Sequence, residues 1–336
     1  METENIADLA RNYYVGEVIE MCDIKVSVIC LVYNHEKYLR QCLEGMVSQQ
    51  TDFAYEILIH DDASTDNSAL IIKEYEERYP ELIRVVYQKE NQYSKGRKIT
   101  KDILFPMARG KYLAICEGDD YWCNDNKLFL QYHALEENTK CSLCTHKVRR
   151  IQENGEYLDS YYPINNVPRG LVTSADFIKF LCLKEAYPFQ TSSYFYRKTD
   201  APYNLEEYPQ FMQDLSFGDI PLMLYLITKG NLYYIDEEMS HYRVASKGSW
   251  NSRQDKSSKK NLNENRLLFR RYDEYTKFQY SEEIEKAIRK KEFWYYTVNH
   301  QYKEMLQRRY REFFLKMTFK EKVYVLIHSF FKRREF

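Results

Sequence analysis

Short apolar runs alternate with helically spaced ones from Lys25 onward, and this alternation predicts the fold class before any single residue does. "KVSVICLVYN" is β-rich, and Leu39, Cys42, Leu43, Met46 and Val47 then recur at the spacing of one helical face. "YEILIHDD" is a second strand-like run. "ASTDNS" supplies helix-capping side chains before Ile71, Tyr75 and Tyr79 mark another helical face, which Pro80 closes. "LIRVVYQ" and "KYLAICEGDD" predict a third and a fourth strand. Such a βαβ series builds an α/β fold, a mostly parallel sheet flanked by helices, with its crevice at the carboxyl ends of the strands. Tyr33-Asn34, Asp61-Asp62 and Glu117-Gly118-Asp119-Asp120 each fall at such an end.

Beyond Asp120 the pattern loosens. A helix is predicted around 126–138, a strand over "CSLCTHKVRRI", and loops and small elements over the turn-rich "NGEYLDSYYPINNVPRG". Helical spacing returns at 174–183, "TSSYFYRK" reads as a strand, and "GDIPLMLYLITKG" as a helix with Pro near its start and Gly at its stop. "LYYIDEEMSHYRV" reads as a further strand, and the Ser- and Lys-rich "SKGSWNSRQDKSSKKN" as a mobile loop. The chain thus divides into an extension over 1–24, a domain over 25–250 with halves at 25–125 and 126–250, a loop over 251–261 and a helical, basic region over 262–336.

Near the end, Val323, Leu326, Ile327, Phe330 and Phe331 share a helical face flanked by Lys316, Lys320, Lys322, Lys332, Arg333 and Arg334. That is a basic amphipathic helix, suited either to packing on the body of the protein or to peripheral membrane contact.

Composition narrows the partners. Forty-nine basic residues against 50 acidic ones leave a net charge of −1, so nucleic acid is not an expected ligand. The eight cysteines lack the dense spacing of a disulfide scaffold, which fits a reducing cytoplasm. Cys141 and Cys144 form a CxxC with His146 nearby, but a fourth ligand at zinc-finger spacing is missing. The first residues lack the pattern of a secretory signal, and no apolar run reaches the roughly 18 residues of a membrane span.

Carboxylates grouped at strand ends usually hold a cation or a substrate, because an unpaired buried carboxylate is costly. Glu117, Asp119 and Asp120 are also explained by an exposed acidic turn, and Asp61-Asp62 by helix capping. Their convergence on one crevice favours hard-cation chemistry, in which magnesium or manganese is held by one or two carboxylates plus substrate phosphates.

"VSVICLVYNHEKYLRQCLEGMVSQQ", "YEILIHDDASTDNS" and "GKYLAICEGDDYW" resemble, in order and spacing, the donor half of the family 2 glycosyltransferases, inverting enzymes of the glycosyltransferase A fold. The resemblance, of the bacterial glycan-biosynthesis type, covers roughly residues 25–140 strongly. It implies a nucleotide-sugar donor, most readily a UDP-sugar, and a saccharide or lipid-linked acceptor receiving a hexosyl or N-acetylhexosaminyl group. Tyr33 would stack on or line the base pocket, with Asn34 a further donor-binding residue, Asp62 would bind the nucleobase, Asp61 would help at the ribose, and Arg97 and Arg243 would approach the diphosphate. The family's metal motif falls on Glu117-Gly118-Asp119, with Glu where Asp is more frequent, so Asp119 and Asp120 are the expected ligands of manganese or magnesium.

By the same resemblance the catalytic base comes from a helix start, Asp219 first and Asp214 second, while Thr191, Ser192, Ser193 and Trp250 are acceptor-site candidates. Relatives often carry a His two residues after the Arg at 243; Ala245 stands there, with His241 on the same strand face as Arg243. Two other readings remain open. A nucleotidyltransferase would usually need a Gly-rich phosphate loop, which "CLVYNHEKYL" lacks; a degenerate nucleotide-sugar-binding protein would not need the full set of acids.

Overall fold

The structure, a computed structural model, describes residues 23–164, 167–183, 189–204, 206–244 and 257–331. Strands β1 (Val26–Val32), β2 (Tyr55–Asp61), β3 (Ile83–Tyr87) and β4 (Tyr112–Ile115) pair in parallel in the order β3-β2-β1-β4. Helix α1 (Leu39–Val47) carries the chain from β1 to β2, and α2 (Ser68–Arg78) from β2 to β3. The sheet continues through β9 (Phe195–Arg197), β6 (Cys141–Ile151), β10 (Asn231–Arg243) and β5 (Tyr121–Trp122).

The alternation of side chains along a strand builds a core on each face. Val26, Val28, Cys30 and Val32 of β1 face Leu39, Cys42, Leu43 and Met46 of α1 and Ile71 and Ile72 of α2. Leu128 and Leu135 of α3 (Lys127–Glu137) complete that layer. Ile29, Leu58, Leu113 and Ile115 point the other way, toward α4 (Ser174–Leu183) and α5 (Asp219–Lys229). Two long helices, α6 (Lys259–Tyr275) and α7 (Ser281–Val298), add Leu268, Phe269, Tyr272, Ile284 and Ile288 to this second core. The short α8 (Tyr302–Met305), α9 (Arg311–Lys316) and α10 (Phe319–Phe331) follow, with Tyr302, Met305 and Val325 forming a small third cluster. No helix of the described residues is long and apolar enough to cross a membrane.

One contact fixes where the acid motif sits. A Cβ on Gly45 would lie 2.4 Å from the main-chain oxygen of Trp122, so α1 touches β5 backbone to backbone. Gly45→Ala is therefore expected to destabilise the fold by about 1–3 kcal/mol through overpacking, read as a lowered midpoint in denaturant unfolding.

Several expectations shift. Thr191–Ser193, read as the start of a strand, form a 3-10 turn, in which the Ser193 hydroxyl bonds back to the Gln190 carbonyl and the ladder starts only at Phe195. The stretch read as loops and small elements holds β7 (Tyr157–Tyr162), antiparallel to β6, and β8 (Gly170–Val172), antiparallel to β10, starts at its end. Helix α6 begins at Lys259, inside the span expected as loop, where the Ser258 hydroxyl accepts the Asn261 N–H at 3.1 Å. Residues 251–256, Trp250 and most of the 1–24 extension lie outside the described residues, as do Lys332, Arg333 and Arg334.

Candidate active site

Strand direction brings the chemistry to one edge. β9 runs antiparallel to β4 and β6, and β10 runs parallel to β6, so β10 ends where β4 ends and β9 begins there. The turn after β4, the turn before β9 and the end of β10 therefore meet, at the same edge as the ends of β1 and β2.

Asn34 adopts a left-handed φ of 58°, which Asn tolerates better than most residues, and stitches two of these turns together. Its N–H donates to the Ser64 hydroxyl at 3.0 Å and its side-chain oxygen accepts the Thr65 N–H at 2.7 Å. Asp62 is engaged by the following loop: its two oxygens accept the N–H groups of Gln92 at 2.7 Å and Tyr93 at 3.0 Å. Asp61 differs, since its Oδ1 is buried without a hydrogen-bond partner and burial raises its pKa. Tyr33 is half-buried next to Asn34, and Arg97 is exposed on the loop that Asp62 anchors.

The acid turn leaves β4 through Gly118, where a Cβ would sit 2.7 Å from the His35 ring and 3.1 Å from Val32, so only glycine lets the turn pass this close to the end of β1. Asp120 is 1% exposed. Its Oδ1 accepts the Arg243 N–H at 2.9 Å, and its Oδ2 is buried with no hydrogen-bond partner. Burial, then the charges of Asp119 and Glu117, raise its pKa strongly. Burial also pushes Glu117 up to about 8, helped by the charges of Asp119 and Asp219 and opposed by a hydrogen bond with Thr191. Asp219 thus lies within electrostatic reach of the acid turn, at the first residue of α5.

Other candidates are placed differently. Asp214 is exposed and pairs with Arg271 of α6 at 3.2 Å. Of the three residues before β9, Thr191 alone engages Glu117; the Ser192 hydroxyl bonds that of Ser240 at 3.0 Å, and the Ser193 hydroxyl donates to the Gln190 carbonyl at 2.6 Å. Both serines are wholly buried, with their hydroxyls bonded within the fold. His241 has both ring nitrogens in use, Nδ1 with the Tyr121 hydroxyl at 2.5 Å and Nε2 with Glu238 at 2.8 Å. Among the described residues Cys123, Glu238 and His241 alone form a trio within metal-binding reach, and Glu238 already pairs with Arg149 at 2.8 Å. Cys141, Cys144 and His146 form no such group there.

A family model, glycosyl transferase family 2, matches residues 27–200. The chain belongs to this family. An uncharacterised protein of Mycobacterium tuberculosis is 35% identical over 231 residues, 68% of this chain and 61% of that one, so the chain spans about three-fifths of that relative's length. A poly(ribitol-phosphate) beta-glucosyltransferase of Bacillus spizizenii is 27% identical over 133 residues, covering 39% of this chain and 20% of that one. Among solved structures, TarS 1-349 of S. aureus in complex with UDP-GlcNAc has a TM-score of 0.55 at 18% identity, covering 91% of this chain and 79% of that one. A mannosyltransferase of Pyrobaculum calidifontis in complex with GDP-Man and Mn2+ has a TM-score of 0.50 at 13% identity, covering 98% and 94%. These structures share the fold.

In this family 2 chain Arg243 holds the acid turn from behind, and Lys127 packs on Trp122 in the strand that follows the turn. Arg243 donates to the carbonyls of Asp119 at 3.1 Å and Glu153 at 2.9 Å and to Gln41 at 3.1 Å, with its guanidinium 4.6 Å from the Tyr38 ring centre. A phosphate contact by Arg243 would compete with these bonds. Lys127 is fully buried, donates to Gln131 at 2.6 Å and lies 4.0 Å from the Trp122 ring centre. Burial pushes its pKa down to about 7. Sequence reading missed Lys127, since a lysine at a helix start ordinarily faces water.

Proposed function

We propose that this chain is a metal-dependent inverting glycosyltransferase that moves a sugar from a nucleotide-diphosphate sugar, UDP-linked in the first instance, to a saccharide or lipid-linked acceptor at the inner face of the cell membrane. The observation that carries the reading is the placement of four acids at one sheet edge, with Glu117 within electrostatic reach of Asp119 and Asp219 and Asp120 within reach of Asp119 and Glu117, while the buried, unpartnered Oδ1 of Asp61 lies at the end of β2 on the same edge. The sugar-nucleotide complexes of TarS and the Pyrobaculum mannosyltransferase, with Mn2+ in the latter, support the donor class and the cation.

The residues fit a divalent cation. Asp120 has a buried oxygen without a partner, in a group of carboxylates whose charges raise one another's pKa values. Asp119 and Asp120 would hold the ion, which when bound supplies positive charge against the departing diphosphate. Asp61 would receive the nucleoside, since its Oδ1 has a vacant acceptor site, while Asp62 braces the adjoining loop.

Asp219 is the base: its carboxylate takes the acceptor hydroxyl's proton as that oxygen bonds the anomeric carbon and the carbon–oxygen bond to the diphosphate breaks, inverting the configuration. Its carboxylate stands at the first residue of α5, within electrostatic reach of Glu117 in the acid turn. A panel of nucleotide sugars scored by thermal shift with and without manganese tests donor and cation together: one donor is expected to raise the melting temperature by several degrees, only with metal. No response to any donor would overturn the reading.

A further inference from the structure

Helix α10 presents its apolar side to solvent. Phe319, Val323, Leu326 and Ile327 are exposed, Phe319 by 80% and Ile327 by 46%, while Val325 on the same helix is 2% exposed. The helix is held to the body through that inner side: Tyr324 and His328 pack on the Tyr302 ring at 5.6 and 5.7 Å, and Val325 joins the Tyr302–Met305 cluster. At about 100° per residue the four exposed apolar residues span an arc of roughly 100°. Lys320 and Lys322 stand on its two margins, and the exposed Leu315 and Lys316 precede it on α9.

The acid nearest this face is turned away. Glu321 lies opposite the apolar arc and is engaged in a reciprocal cap, accepting the Thr318 N–H at 2.7 Å while its own N–H donates to the Thr318 hydroxyl at 3.3 Å. An apolar arc bordered on both sides by lysines is complementary to an anionic, apolar-cored surface. A two-fold contact with a second copy would instead set these lysine margins against one another, because such a contact uses the same patch on both partners.

We infer that α10 is an interfacial anchor, lying flat in the headgroup region of an anionic bilayer with Phe319, Val323, Leu326 and Ile327 inserted and Lys316, Lys320 and Lys322 among the lipid phosphates. The inference goes beyond sugar transfer and stands apart from it, since it rests on this surface alone and its test reads no activity.

The experiment is co-sedimentation of the full chain with vesicles of phosphatidylcholine mixed with phosphatidylglycerol, and with vesicles of phosphatidylcholine alone. Binding is expected to the mixed vesicles and to be much weaker to the neutral ones. Lys320→Ala and Lys322→Ala should each lower the partition coefficient about fivefold, and Val323→Asp with Ile327→Asp should abolish binding. Lys320, Val323 and Ile327 are exposed and Lys322 is half-buried at the helix margin, so melting temperatures should stay near that of the parent chain, which separates lost anchoring from lost folding. Equal binding to both vesicle types, binding that survives the double Asp variant, or a lipid-free dimer that this variant dissociates would each overturn the inference, the last in favour of a second copy.

Discussion

Asp219→Asn is expected to lower turnover by about a hundredfold to ten-thousandfold while changing donor affinity little. Asn matches Asp in size and keeps an oxygen at the start of α5, so the helix should still form, but its amide cannot accept the acceptor's proton. The paired control is Asp214→Asn. That carboxylate is exposed and its partner is Arg271 of α6, so its loss should cost no more than about 1 kcal/mol of stability and leave turnover near the parent value. Steady-state rates set beside donor binding by calorimetry separate the outcomes. Full turnover in Asp219→Asn would remove this residue as the base. A parallel loss of donor affinity would show that it serves ground-state binding instead.

The first half of the domain was legible because its signals are local. Each strand from β1 to β4 is a short apolar run flanked by helices, and each ends within a few residues of where the run ends: "KVSVICLVYN" becomes Val26–Val32 and "YEILIHDD" becomes Tyr55–Asp61. The acids follow at those ends because a parallel sheet puts all its carboxyl ends on one edge. β7 was hidden because it is a partly exposed pairing on β6, and "YLDSYY" lacks the continuous apolar run of a buried strand. The turn at Thr191–Ser193 was hidden because its residue types suit a strand as well as a local hydroxyl bond.

The site was legible in its acids and opaque in its supports. Sequence order places Glu117, Asp119 and Asp120 after a strand, but the carbonyls that receive the Arg243 guanidinium come from Asp119 and from a turn at Glu153. Such contacts depend on backbone position, which residue type does not encode. The same holds for the division of labour at Asp61 and Asp62: identical side chains, one braced by two N–H groups and the other left with a buried vacant oxygen. The basic C-terminal helix was visible in the spacing of its apolar residues, but the sequence left open whether that face turns inward; the packing of Tyr324, Val325 and His328 on the body turns it outward.

The metal expectation leads to a prediction with opposite signs in one variant. Glu117, held up at about 8, and Asp120, raised by burial and by the charges of Asp119 and Glu117, have folded-state pKa values above those of an unfolded chain. Their contribution to stability is fully present below the ordinary carboxylate range and is lost as pH rises through the folded values. The metal-free protein should therefore lose stability toward alkaline pH. Manganese should raise the melting temperature more at about pH 8 than at about pH 5, because it binds the ionised form. Asp120→Asn removes a buried charge whose Oδ2 has no partner, so at alkaline pH the metal-free variant should melt higher than the metal-free parent. The same variant should lose most of the manganese-induced rise. Melting curves at the two pH values, with and without manganese, check both signs. If Asp120→Asn melts lower than the parent without metal and keeps the full manganese effect, the cation is held elsewhere and the buried oxygen of Asp120 has another use.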